Sequence, residues 1–224
     1  VFDALLEEFA QSATMVQNIV GYLERLEVQY TGCNPRGLLF AHDKTLSKKN
    51  LAFHRIPVPQ LATFLKGQRV RRGVKLKYPL LVKSVRYEGS VGISQASVVY
   101  DEEKLLDRVE FIHRAIDDHA TAEEYIEGRE IYVGVMGNTR LETLPPWEFI
   151  LKNLPDGAPN IATSKVKWDV KYQEKVGVVT QAAEGLSNEL LAGISRLSKR
   201  IYRLLNSLAL RGSISGCATT GSSS

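Results

Sequence analysis

Cysteine is nearly absent: only Cys33 and Cys217 occur, far apart and outside any paired motif. That argues against a disulfide framework and a cysteine-based zinc site, and it fits a reducing compartment. Long apolar runs are missing too, so no segment reads as a membrane span. The opening residues, Val1-Phe-Asp-Ala-Leu-Leu-Glu-Glu8, lack the basic start and cleavage site of a signal peptide, and the expected location is cytoplasmic. An initiator Met is also lacking, which suggests a fragment. Two phosphate-binding signatures are absent: no G-x-x-x-x-G-K-S/T run and no strand–G-x-G-x-x-G–helix unit. A basic cluster of Lys66, Arg69, Arg71, Arg72, Lys75 and Lys77 has no interleaved aromatics on which bases could stack, so a nucleic-acid partner is disfavoured. His42, His54, His113 and His119 are scattered without metal-ligand spacing and read as surface or helix-end residues.

What remains is the composition of an ordinary globular chain: 44% hydrophobic, 24% charged, net charge +4. Its 224 residues suffice for one large domain or two modest ones. The informative stretch is Pro79 to Ser94. A short apolar strand carries Lys83, and a glycine- and serine-rich turn follows through Gly89, Ser90 and Gly92. Glycines let backbone N–H groups approach an anion, serine adds a donor and lysine supplies charge. A lysine among Leu81, Val82 and Val85 is costly unless something anionic meets it.

The spacing predicts a helix over Met15 to Leu26, a short strand at Val28 to Tyr30, a loop over Thr31 to Gly37 and a helix from Asp43 to Arg55. Ile56-Pro-Val-Pro59 ends that helix, because a residue before proline avoids the helical region. Lys44 lies in its first turn, where a cation opposes the helix dipole and hints at an anionic partner. Ile93 to Tyr100 reads as a second strand. Asp101 caps a helix with Leu105, Leu106, Val109, Ile112 and Ile116 as its apolar stripe. Strands are expected at Ala122 to Ile126 and Ile131 to Met136, with Gly137-Asn138 as a two-residue hairpin turn into Arg140 to Leu144. Pro145 to Thr163 reads as loop, and Ser164 to Tyr172 as an ambiguous segment compatible with a strand. A last helix runs from Asn188 to Leu208 before a low-complexity tail. Strands separated by helices and then by hairpins indicate an α+β fold, not a doubly wound sheet.

These stretches, in order, resemble the ATP-grasp superfamily, and within it the D-alanine–D-alanine ligase-like carboxylate–amine ligases. Tyr30-Thr-Gly32, Asp43-Lys-Thr-Leu-Ser-Lys48 and Ile56-Pro-Val-Pro59 come first. Leu81-Val-Lys-Ser84, Glu88-Gly-Ser-Val-Gly-Ile93, Glu123-Glu-Tyr-Ile-Glu-Gly-Arg-Glu130 and Val166-Lys-Trp168 follow. The similarity covers about Tyr22 to Gly212. It implies two α+β subdomains sandwiching a nucleotide, with boundaries near 37–127 and 128–212. Residues 1–36 would be a remnant of a substrate domain and 213–224 an atypical tail.

The resemblance also implies roles. Lys44 and Lys83 would contact the phosphates and adenine edge of ATP, and Ser90 and Gly92 would belong to a mobile loop over the phosphates. Glu123 would accept from the adenine amino group, beside a linker of Glu124, Tyr125 and Ile126. Glu130 would hold the ribose, and Lys167 would reach the terminal phosphates. Lys83, Ser90 and Lys167 are thus the catalytic candidates. The implied partners are a small carboxylate and an amine substrate, and a homodimer is compatible.

The reaction so implied is attack of a carboxylate on the γ-phosphate, giving an acyl phosphate that the amine captures, with Mg²⁺ neutralising charge. The family takes its metal carboxylates from a pattern resembling G-Y-x-R-x-D-F-R and a later E-x-N. Here Leu210-Arg-Gly212 leads instead into Ser213-Ile-Ser-Gly-Cys-Ala-Thr-Thr-Gly221, so no metal ligand is assigned. A truncated or frame-shifted tail and impaired catalysis are the expectation. The alternative is a non-catalytic ATP-binding or structural module of the same fold.

Overall fold

The computed structural model describes residues 15–30, 32–68, 75–207 and 214–220. Arg69, Arg71 and Arg72 of the basic cluster, Leu5 to Glu8, and Leu210 to Gly212 lie outside them. The described residues fall into two compact units. Those within Val1–Pro57, Ile131–Glu148 and Gln181–Ala218 make the first; those within Val58–Glu130 and Phe149–Thr180 make up nearly all of the second.

The first unit opens with three helices: α1 (Met15–Arg25), α2 (Pro35–His42) and α3 (Lys44–Phe53). The strand expected at Val28 to Tyr30 does not form. Glu27 takes a left-handed conformation and Val28 N–H donates back to the Leu23 carbonyl, so the backbone closes the helix instead of entering a sheet. Nor is Asn34 to Gly37 a loop. The Asn34 side chain accepts from Gly37 N–H and Pro35 occupies the first turn, a start signal hidden by its turn-like composition. Asp43 caps α3 through Leu46 N–H at 2.7 Å, which sets Lys44 at the helix start as expected.

The second unit holds a four-stranded antiparallel sheet of β1 (Leu61–Phe64), β2 (Leu80–Ser84), β3 (Val98–Val99) and β4 (Ala120–Glu124), ordered β1-β4-β2-β3. β1 has no counterpart in the sequence reading. β3 is far shorter than the expected Ile93–Tyr100 strand, because a 3-10 turn at Gln95–Ser97 closes on Ser94. Helix α4 (Glu102–Phe111), capped by Asp101, continues as a π turn to Ile116. Its Leu105, Val109 and Ile112 pack with Leu80, Val82 and Ala122 into the unit's main core.

A second sheet is built from β5 (Arg129–Met136), β6 (Glu142–Thr143), β7 (Trp147–Leu151) and β8 (Val178–Ala182), ordered β6-β5-β7-β8. Residues Ile214–Thr220 form β9, which pairs with β5, so part of the tail is a strand. The β5–β6 hairpin has the register Val135↔Thr143 and Met136↔Glu142, a five-residue connection in place of two. A Cβ on Gly137 would lie 2.0 Å from the Arg140 carbonyl oxygen, so the turn folds tightly on that glycine. β7 lies inside the segment expected to be loop. The ambiguous Ser164 to Tyr172 stretch is helical, not a strand: Thr163 caps α5 (Ser164–Trp168) and Asp169 caps α6 (Val170–Val176). In the first unit, α7 (Asn188–Leu204) sets Ile194 against Ile131 and Val133 of β5, and Tyr202 against Val135 and Leu141.

Candidate functional site

Antiparallel register decides which side chains of the first sheet meet. Leu81 pairs with Glu123 and Lys83 with Thr121, while Leu80 and Val82 enter the core. Alternation therefore puts Leu81, Lys83, Thr121 and Glu123 on the opposite face, and β1 adds Leu61 and Thr63 there. On this face the Lys83 ammonium forms an ion pair with the Glu123 carboxylate, with side chains only 16% and 7% exposed. Two desolvated charges stabilise each other, and removing one leaves the other's charge less compensated. Thr121 is fully buried beside them, its hydroxyl 3.4 Å from the Ala62 carbonyl.

The linker leaves this face under close control. Glu124 N–H donates to Gln60 O at 3.0 Å and Tyr125 N–H to Pro79 O at 2.9 Å, so both sides are held. The Glu124 carboxylate accepts from Lys77 N–H at 3.2 Å. Tyr125 bridges to the following loop, its hydroxyl accepting from Asn160 N–H at 3.0 Å and facing the Asn160 carbonyl at 3.4 Å. Burial pushes this phenol above its ordinary pKa. Ile126 is exposed, and Glu130 stands half-buried at the start of β5.

The glycine loop leaves β2 at the other end of the same strand. Its entry is anchored by Asp118, a fully buried carboxylate that accepts from Arg86 N–H at 2.8 Å, Arg86 Nε at 2.7 Å and His119 N–H at 2.8 Å. Gly89 and Ser90 both have positive φ, 64° and 62°, and Val91 N–H closes on Glu88 O, the pattern of a primed turn. A second turn follows from Ser90 to Ile93 across Gly92, whose φ is 72°. Three bonds tie the loop to residues 162–168. Ser90 Oγ donates to Ala162 O at 2.7 Å, Trp168 Nε1 to Gly89 O at 2.8 Å and Ser164 N–H to Ile93 O at 2.9 Å. The Ser90 hydroxyl is thus engaged with protein in this conformation.

Lys83, Ser90, Gly92, Glu123, Glu124, Tyr125, Ile126, Glu130 and Lys167 all belong to the second unit, and Lys44 to the first. Lys167 projects from α5 and is exposed. Among the basic cluster, Lys66 pairs with Asp117. The histidines serve the backbone or helix ends: His42 closes α2, His54 caps α3, His113 Nε2 lies 3.0 Å from Phe64 O, and His119 Nδ1 accepts from Lys66 N–H at 3.0 Å. Among the described residues no three His, Cys, Asp or Glu side chains gather as a metal cluster would. Asp118, Arg108 and the Trp168 indole are the site residues that sequence reasoning misses. The only signal for Asp118 is an acidic pair directly before a strand.

Residues 53–212 match the family model described as the D-ala D-ala ligase C-terminus. The chain is 30% identical over 198 residues to an uncharacterized protein, y4sG, of Sinorhizobium fredii, covering 88% of this chain and 55% of that one. It is 36% identical over 135 residues to a D-alanine–D-alanine ligase of Syntrophotalea carbinolica, covering 60% and 41%. Among solved structures, the D-alanine–D-alanine ligase of Bacillus anthracis complexed with ATP superposes with a TM-score of 0.68 at 22% identity, over 90% of this chain and 58% of that one. The Coxiella burnetii ligase gives 0.67 at 20%, over 91% and 50%. The chain spans about half the length of the curated relatives it matches.

Proposed function

The chain belongs to the D-alanine–D-alanine ligase C-terminal family and has the ATP-grasp fold, and from that premise we propose that it binds ATP as part of an ATP-dependent carboxylate–amine ligase. The observation that carries this reading is the Lys83–Glu123 pair on one sheet face, with the glycine loop leaving the same strand. A lysine there meets phosphate charge, and a carboxylate fixed at its side accepts from an exocyclic amine. Tyr125 and Ile126 flank the base, Glu130 takes the ribose hydroxyls, and Gly89 to Gly92 present backbone N–H groups to the phosphates. Lys167 supplies further positive charge for the terminal phosphates.

ATP would supply the phosphoryl group that activates a substrate carboxylate. These residues bind and orient it, and the loop excludes water from it. In this reading the chain binds nucleotide and turns over little by itself. Thermal denaturation with and without Mg-ATP tests it. A ligand present at about 100 times its Kd adds about 2.7 kcal/mol to stability. A clear rise in Tm that Lys83→Met abolishes supports the reading. No rise at millimolar ATP overturns it. Acyl-phosphate-dependent release of phosphate by the same chain would overturn the limited turnover while keeping the ligase assignment.

A further inference from the structure

Arg108 lies among the buried residues of α4, between Leu105 and Val109, and is only 9% exposed. Among the described residues it pairs with no carboxylate. Its guanidinium donates through Nη2 to the Gly92 carbonyl and sits 4.2 Å from the centre of the Phe111 ring. Its Nε is buried without a hydrogen-bond partner. A desolvated cation with a neutral carbonyl and a ring face as its partners is an expensive way to fill a core position that Leu or Met would fill more cheaply. Burial accordingly lowers its pKa from the ordinary value. What the arginine alone provides is a fixed donor aimed at the loop. The loop is shaped to receive it: Gly92 is left-handed, and a Cβ there would lie 2.8 Å from the Ile116 side chain.

We propose that Arg108 is a positioning residue that clamps the exit of the glycine loop, as Asp118 clamps its entry, leaving the Gly89–Ser90 tip as the part that moves. The consequence for ligand binding rests on the nucleotide reading above. With both ends fixed, the tip changes partners by breaking single bonds to Ala162 and Trp168, without unfolding the loop. Arg108 acts through Gly92 and not by touching the ligand. Its loss should therefore weaken ligands that need the tip and spare those that need only the sheet face.

The test uses the whole 224-residue chain with Trp147→Phe, so that Trp168 is its only tryptophan. R108M keeps the apolar stem and removes the donor, while R108K keeps a donor. Amide hydrogen exchange over residues 86–94, acrylamide quenching of Trp168, and calorimetric titration with ATP and with AMP are measured. R108M is expected to raise exchange at the loop about tenfold and to lower ATP affinity about tenfold with AMP affinity unchanged. R108K is expected to fall between R108M and the parent. Unchanged exchange and an unchanged ATP-to-AMP ratio in R108M overturn the proposal. So does an equal loss of both ligands with a lowered Tm, which would make Arg108 a general core residue. If the parent binds neither nucleotide, the nucleotide reading fails, while exchange and quenching still decide whether Arg108 holds the loop.

Discussion

Lys83 and Glu123 stand one diagonal step apart across β2 and β4, so removing either takes an opposite charge from the other where water reaches poorly. Lys83→Met and Glu123→Gln are each expected to cost about 3 kcal/mol in urea denaturation, with the double replacement costing less than their sum. Gly92→Ala combines a left-handed backbone with a Cβ placed against Ile116, and is expected to cost at least about 1 kcal/mol by the same measurement. Tyr125 gives a pH dependence. Burial raises its pKa in the folded chain above the value of 10.0 that applies when exposed. Its contribution is therefore complete below that pH and is lost as pH rises, because the unfolded phenol ionises first. Phenolate absorbance should show Tyr125 titrating late together with Tyr30 and Tyr78, and replacing Tyr125 with Phe should take one tyrosine out of that late step. Lys83 is legible in the sequence because its apolar neighbours make a bare cation improbable. Its pairing with Glu123, forty residues on, is not, since only the strand register brings them together.

At the scale of elements, caps and anchors decide the outcome. Asp101 accepts from Lys104 N–H at 2.8 Å, and Asp101→Ala is expected to cost about 1 kcal/mol with helix α4 otherwise intact. Asp118 serves three donors at once, so Asp118→Asn should cost about 2 kcal/mol or more and raise hydrogen exchange at Arg86 and His119. Helix α4 is legible because its cap, acidic first turn and apolar stripe agree. Helix α2 is hidden because Asn34, Pro35 and Gly37 are turn residues and start residues alike. β1, β7 and β8 escape notice since short strands flanked by prolines or loops carry no periodicity, and the α5–α6 pair escapes because each helix spans under three turns. The entry anchor of the glycine loop is unreadable for a different reason. It depends on a carboxylate thirty-two residues downstream, folded underneath.

For the whole molecule, the order of motifs carries more than any one of them. Lys83, the glycine loop, Glu123 and Glu130 occur in the sequence in an order and at spacings that resemble the ATP-grasp superfamily, although several intervening elements are misread. The misreadings, of β1, β7, β8, α2 and the α5–α6 pair among them, leave Lys83 and Glu123 on the strands that the sequence assigns them. Of the charges in and near the basic cluster, Lys66 is engaged with Asp117, and Arg86 is engaged with Asp118. Fluorescence anisotropy with a labelled RNA or DNA duplex is expected to show no binding at physiological salt. A steep salt-dependent isotherm would contradict that.

Under the proposed nucleotide reading, the bond from Ser90 to the Ala162 carbonyl competes with the ligand for the same hydroxyl. Any ligand that needs the hydroxyl must outcompete that carbonyl, and its apparent affinity falls by the fraction of molecules in which the hydroxyl is released. At about 1 kcal/mol for such a bond, that fraction is about one in six. The consequence is kinetic as well. Association measured by stopped flow should level off with rising nucleotide, at a ceiling set by how often the serine lets go.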